Sequence, residues 1–167
     1  MDRQLVLRAR AGDREAYELI VLDRGEHLYR TALAILGRDA DARDATQEAL
    51  IAGWRRLADL RDADRFEAWL GRILVNECRM ALRRRSRVRE IPMPEADSPA
   101  SVTDADRTGF DDAFEQLSAD QRTILVLHHL HGYGVGEIAA WLGIPSGTVK
   151  WRLSRARAAL RAAMNER

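Results

Sequence analysis

The sequence predicts an all-α protein of two small helical domains joined by a flexible linker, with a helix-turn-helix in the C-terminal domain. Three observations carry this. Apolar residues recur at helical spacing through most of the 167 residues, and no alternating run is long enough to argue for a sheet. Three of the four prolines, Pro92, Pro94 and Pro99, fall within "REIPMPEADSPASVTDADRTG", a composition that opposes both helix and sheet. Two short helical patterns then meet at a turn containing Gly143 and Pro145. The expected organisation is a first domain over residues 1–87, a linker over 88–108 and a second domain over 109–167.

The first domain opens with a strongly charged stretch that lacks the apolar region of a signal peptide. "GDREAYELIVLDRGEHLYRTALAILG" follows with helical spacing, and Gly37 is placed to stop it. Asp39 or Asp41 can cap the next helix, "DARDATQEALIAGWRRL". The loop "ADLRDADR" leads into "FEAWLGRILVNECRMALRRRSR", where Phe66, Leu70, Ile73 and Met80 are expected to make the buried stripe. Trp54 and Trp69 fall on apolar stripes and are read as core. At about 100° per residue, Arg72, Asn76, Arg79 and Arg83 share one flank of that last helix. Residues 79–89 hold six arginines and no acid. That exceeds what compensation of a helix dipole requires and suggests a surface facing phosphates.

In the second domain, "FDDAFEQLSADQRTILVLHHLHG" reads as two helices, with Ser118 and Gln121 placed for a capping box. "VGEIAAWLG" is a short helix started by Gly134 or Gly136 and closed by Gly143. "IPSGTVKWRLSRARAALRAAM" is the next, with Ser146 as the expected cap. On a helical wheel, Leu153, Ala156 and Leu160 fall within ~40° of Val149, a stripe for packing on the preceding helix. Trp151, Ser154, Arg155 and Ala158 lie opposite, with Thr148 and Lys150 flanking near the N-terminal end. Arg152, Arg157 and Arg161 sit laterally and suit phosphates.

Charge distribution says more than total charge. With 27 basic and 26 acidic residues, the net charge is +1, which excludes a uniformly basic coat but not local patches. Residues 108–145 hold five acids and one basic residue, whereas residues 146–161 hold five basic residues and no acid. One helix faces a polyanion from a scaffold that repels one. Together with the turn and the wheel, this points to DNA binding by the helix from Ser146, whose N-terminal part would meet base edges.

Other classes are disfavoured. There is no Walker loop, catalytic triad or zinc spacing, so no enzyme, cofactor or metal is expected. His128, His129 and His131 point too far apart on a helix to converge on one ion. Cys78 is the single cysteine, so no internal disulfide can form, consistent with a reducing cytoplasm. No apolar run reaches the ~18 residues of a spanning helix, so no membrane insertion is expected.

These residues resemble a family. "LSADQRTILVLHHLHGYGVGEIAAWLGIPSGTVKWRLSRARAAL" is similar to region 4 of the extracytoplasmic-function sigma factors of bacterial RNA polymerase, and "DARDATQEALIAGWRRLADLRDADRFEAWLGRILVN" to their region 2. The resemblance implies that Asp44, Gln47 and Glu48 dock on the clamp helices of the polymerase largest subunit, and that the flap region of core polymerase is a further contact of the chain. It implies that residues 59–65 and the helix carrying Asn76 read a minus-10 promoter element around a flipped base. Leu60 and Arg61 belong to that set, with Arg72, Arg79 and Arg83 holding the strand. Thr148, Lys150, Trp151, Arg152, Ser154 and Arg155 would contact the minus-35 element. Leu60 stands where relatives often place an aromatic residue, so apolar contact would replace stacking. Trp151 is bulkier than the small polar residue expected there, and can stack on sugar or contact a thymine methyl. The resemblance also makes an anti-sigma factor a candidate partner. The alternative is a stand-alone helix-turn-helix regulator. Operator binders usually dimerise, whereas two arginine-rich surfaces in one chain suggest a monomer reading two separated elements.

Overall fold

A computed structural model describes residues 1–89 and 109–165 of the chain. The expected linker falls mostly at positions outside the described residues, as do Pro92, Pro94 and Pro99. All regular structure in the described residues is helical, and the chain divides into two compact units, Met1–Glu95 and Ala96–Arg167.

The first unit holds four helices. α1 (Arg3–Arg10) was not expected from the sequence. Asp2 caps it by accepting from the Gln4 amide at 2.9 Å, and it buries Val6 and Ala9. Gly12, at φ +98°, turns the chain, and Asp13 then caps α2 (Arg14–Leu36) through the Ala16 amide at 3.1 Å. Arg8 donates to the same Asp13 carboxylate at 2.9 Å.

Gly37 ends α2 in the left-handed region at φ +71°, its N–H bonded to the Leu33 carbonyl, as expected. α3 (Asp39–Arg56) begins at Asp39, which therefore lies inside the first turn instead of capping it. The residue before it, Arg38, makes no side-chain cap bond. Asp39 is used differently. It accepts from Tyr29 at 2.5 Å and from Arg43 at 2.8 Å, joining the end of α2 to the start of α3.

α3 buries small side chains, Ala42, Ala45, Thr46, Ala49 and Gly53, and so packs closely on α2 and α4. The Thr46 hydroxyl donates to the Ala42 carbonyl at 2.8 Å, satisfying it inside that contact. Trp54 is half-buried with its ring 5.0 Å from that of Tyr17, and Trp69 is half-buried against Phe66.

α4 (Phe66–Arg89) buries Phe66, Leu70, Ile73, Leu74, Val75 and Cys78. Met80 was expected in this stripe but is 42% exposed. The buried positions advance by four, from Leu70 to Leu74 to Cys78. Each such step turns the stripe ~40° further round the helix, away from Met80.

The second unit begins with α5 (Gly109–Glu115). Arg122 closes it by donating to the Glu115 and Leu117 carbonyls at 3.1 and 2.8 Å. α6 (Ala119–Leu125) carries the expected capping box: Ser118 Oγ accepts from the Gln121 amide, and Gln121 Oε1 from the Ser118 amide. A π-helical turn over Val126–Leu130 follows. α7 (Val135–Leu142) starts after Gly134, whose N–H donates to Glu137 Oε2 at 2.9 Å, so the side chain missing at the cap is answered from the third helical position. Gly143, at φ +66°, ends α7.

α8 (Ser146–Asn165) includes Ser146 as its first residue. The expected cap therefore shifts by one. The Pro145 carbonyl receives the first amides, from Thr148 at 2.9 Å and Val149 at 3.2 Å. Val149, Leu153 and Ala156 are buried and Leu160 half-buried, matching the stripe read from the wheel.

Candidate nucleic-acid interface

Three exposed faces collect the residues singled out in the sequence, two in the first unit and one in the second. On α3, the small buried stripe turns Asp44, Gln47 and Glu48 outward, and all three are exposed. With Asp41, Ala81 and Arg84 they line an open depression of about 420 Å³. Arg84 is the unexpected member. Among the described side chains, the arginines toward the end of α4 do not share one face. Arg84 sits beside the acids of α3, while Arg72, Asn76, Arg79 and Arg83 lie along another flank. Arg72, Asn76 and Arg83 are exposed and Arg79 half-buried.

The loop between α3 and α4 is built from two 3-10 turns, Leu57–Asp59 and Ala63–Arg65. Asp62 caps the second by accepting from the Asp64 amide at 3.0 Å. Leu57, Leu60 and Ala63 are buried, whereas Asp59, Arg61, Asp62, Asp64 and Arg65 are exposed. This corrects the expectation for Leu60. At 5% exposure, its side chain packs in the core and cannot line an open pocket for a base. Its role is to anchor the loop, helped by Arg10, whose Nη1 donates to the Leu60 carbonyl at 3.1 Å. α1 thus braces this loop from the side, and Arg3 adds a surface ion pair to Asp64 at 3.3 Å. Exposed pairs of that kind contribute ~0–1 kcal/mol. The contact from Arg10 comes from α1, the element that sequence reasoning missed.

The third face is on α8. Lys150, Trp151, Ser154 and Arg155 are exposed together, and Thr148 is half-buried at their edge. The lateral arginines are partly engaged by their own scaffold. Arg152 lies 3.9 Å from Asp120 of α6. Arg157 donates from Nε to His129 Nε2 at 3.1 Å. As acceptor, that nitrogen must be unprotonated. Burial, with Arg157 and His128 nearby, holds the His129 pKa below its usual value, in keeping with this role. His128 bonds the Tyr133 carbonyl at 2.9 Å, and His131 stacks on the Tyr133 ring. Each histidine of the cluster thus has a partner other than a metal. Among the described residues no three metal-binding side chains converge.

Comparison with known proteins gives two family matches in chain order: Sigma-70 region 2 over residues 20–88 and Sigma-70, region 4 over residues 107–160. The chain is 34% identical to the ECF RNA polymerase sigma factor SigM of Mycobacterium tuberculosis, across 95% of this chain and 82% of that protein. Among solved structures, it is similar to CnrH in complex with the cytosolic domain of CnrY, with a TM-score of 0.68 and 28% identity over 99% of this chain and 97% of that one. It is also similar to the sigma factor RpoE of Bartonella quintana in complex with the anti-sigma factor NepR. The TM-score there is 0.70, with 28% identity over 89% of this chain and 96% of that one.

Proposed function

The chain belongs to the extracytoplasmic-function sigma factors of bacterial RNA polymerase, and from that premise we propose how its exposed faces divide the work. It is a non-enzymatic polymerase subunit that initiates transcription, with regions 2 and 4. The region 2 match removes the alternative of a stand-alone regulator. Sigma factors bind core RNA polymerase and promoter DNA, and each face below is assigned to one of these.

The acidic and amide face of Asp44, Gln47 and Glu48 docks on the clamp helices of the largest subunit. Its exposure and its sign support this, since it can meet basic partner groups. Region 4 adds the contact to the flap. Arg61 and Asn76 read the minus-10 element, and Arg72, Arg79 and Arg83 hold the strand by its phosphates. Asn76 offers both a donor and an acceptor to the edge of an extruded base. Extrusion costs a few kcal/mol, which these contacts must offset. Leu60 holds the loop in shape from beneath. Thr148, Lys150, Trp151, Arg152, Ser154 and Arg155 form the minus-35 surface.

The observation that carries this reading is the exposed basic face of α8, in a unit whose preceding residues 108–145 hold five acids against one basic residue. An anti-sigma partner is supported by the complex of the similar RpoE with NepR. The free protein is taken as a monomer working in the cytoplasm. Among the described residues no helix is long and apolar enough to cross a membrane. Reconstitution with core polymerase tests the assignment. The chain should form a holoenzyme that protects a minus-35 and a minus-10 element and opens the latter. A holoenzyme that starts transcription with no minus-35 footprint would overturn the role given to α8.

A further inference from the structure

The cationic side chains of α8 are not equivalent. Arg152 reaches back to Asp120 and Arg157 to His129, so both are turned toward their own scaffold. Arg155 is held differently. Its guanidinium lies over the Trp151 ring, 5.0 Å from the centroid, and among the described residues no acceptor engages its N–H groups. Trp151 is itself 58% exposed. Stacking holds a guanidinium by its flat faces and leaves the donors in its edge available. The two residues are one helical turn apart, on the side opposite the buried Val149, Leu153 and Ala156.

This places a planar donor fork beside an apolar plate on an exposed helix face. Two base edges in the major groove match those two chemistries. Guanine offers O6 and N7 to an arginine fork, and thymine offers a 5-methyl group to an apolar surface. The separation of 5.0 Å is of the same order as the ~3.4 Å step between base pairs.

We propose that Trp151 and Arg155 act as one reading unit. Arg155 engages a guanine of the minus-35 element, and the indole packs on the methyl group of a thymine in a neighbouring base pair. Trp151 is then also a positioning residue, because it orders the guanidinium before DNA arrives. The proposal rests on the assignment of α8 to the minus-35 element made above.

The test uses holoenzyme reconstituted from the full chain and core polymerase. Promoter fragments are first selected from the genomic DNA of the source organism. Single guanines in a selected minus-35 region are then replaced by 7-deazaguanine, and single thymines by deoxyuridine. With the unaltered protein, one 7-deazaguanine should weaken binding roughly 5- to 150-fold, and one neighbouring deoxyuridine several-fold. Arg155→Ala removes the donors, so the 7-deazaguanine penalty should vanish. Trp151→Ala should erase the deoxyuridine penalty and shrink the 7-deazaguanine one. Penalties that persist unchanged in both variants overturn the proposal. So does a protected minus-35 region in which no guanine is sensitive, and there the assignment of α8 survives. Absence of any minus-35 footprint overturns both.

Discussion

Arg10 and Leu60 are fifty positions apart in the chain, yet the guanidinium of one donates to the carbonyl of the other at 3.1 Å. That bond ties α1 to the loop proposed to read the minus-10 element. Arg10→Ala should cost about 0.5–1.5 kcal/mol of stability. It should lower permanganate reactivity of minus-10 thymines while leaving minus-35 protection unchanged. Equal melting by variant and parent would mean that the loop holds its shape without α1.

The polymerase face gives a sharper outcome. Gln47 and Glu48 are exposed, so changing both to lysine should leave folding intact. Like charges across an interface cost several kcal/mol, so holoenzyme assembly should be lost on gel filtration. Normal assembly would show that core polymerase binds elsewhere.

Packing around Gly53 makes a prediction about stability alone. A Cβ there would sit 2.8 Å from the Tyr17 hydroxyl and 3.0 Å from Leu70 Cδ1. The hydroxyl cannot easily retreat, because it donates to the Leu50 carbonyl at 2.6 Å. Gly53→Ala should therefore destabilise by about 1–3 kcal/mol, as overpacked cores do. Tyr17→Phe removes the nearer clash, so the double variant should lose less than the sum of the two single losses in chemical denaturation.

The junction of α2 and α3 should respond to acid. Arg43 first, then Tyr29, hold the Asp39 carboxyl below its ordinary value of 3.8. A depressed carboxyl pKa stabilises the fold above the unfolded value, and that stabilisation is lost as pH falls through the folded one. The denaturation midpoint of the parent should thus exceed that of Asp39→Asn near neutrality, and the two should converge below about pH 4. The bond also raises the Tyr29 pKa, so its contribution persists up to pH 10 and fades above it. A constant gap between parent and variant down to pH 2 would rule out this linkage.

Much of this was legible in the sequence because local chemistry decides it. Gly37, the Ser118–Gln121 box and the stripe Val149–Leu153–Ala156 need only backbone geometry and periodicity. The misreadings share another origin. Leu60 is buried in a loop that α1 braces, and α1 itself is short and heavily charged, so its apolar signal is weak. Asp2, Gly12 and Asp13 were the available signs of its ends. Met80 and Arg84 depend on which side of α4 meets its neighbours, and a wheel drawn for one helix does not say what covers each face. The pairing of Trp151 with Arg155 follows from side-chain rotamers, and spacing alone gave only their common face.

Cys78 lies in the core of the first unit, and burial pushes its thiol up to about 12. Only the thiolate reacts readily with oxidants, and the chain has no second cysteine with which to form a bridge. In its folded state the one thiol is therefore a poor target for peroxides and for disulfide exchange. A redox message carried by thiol chemistry then has to be received by another molecule and delivered as a change in binding.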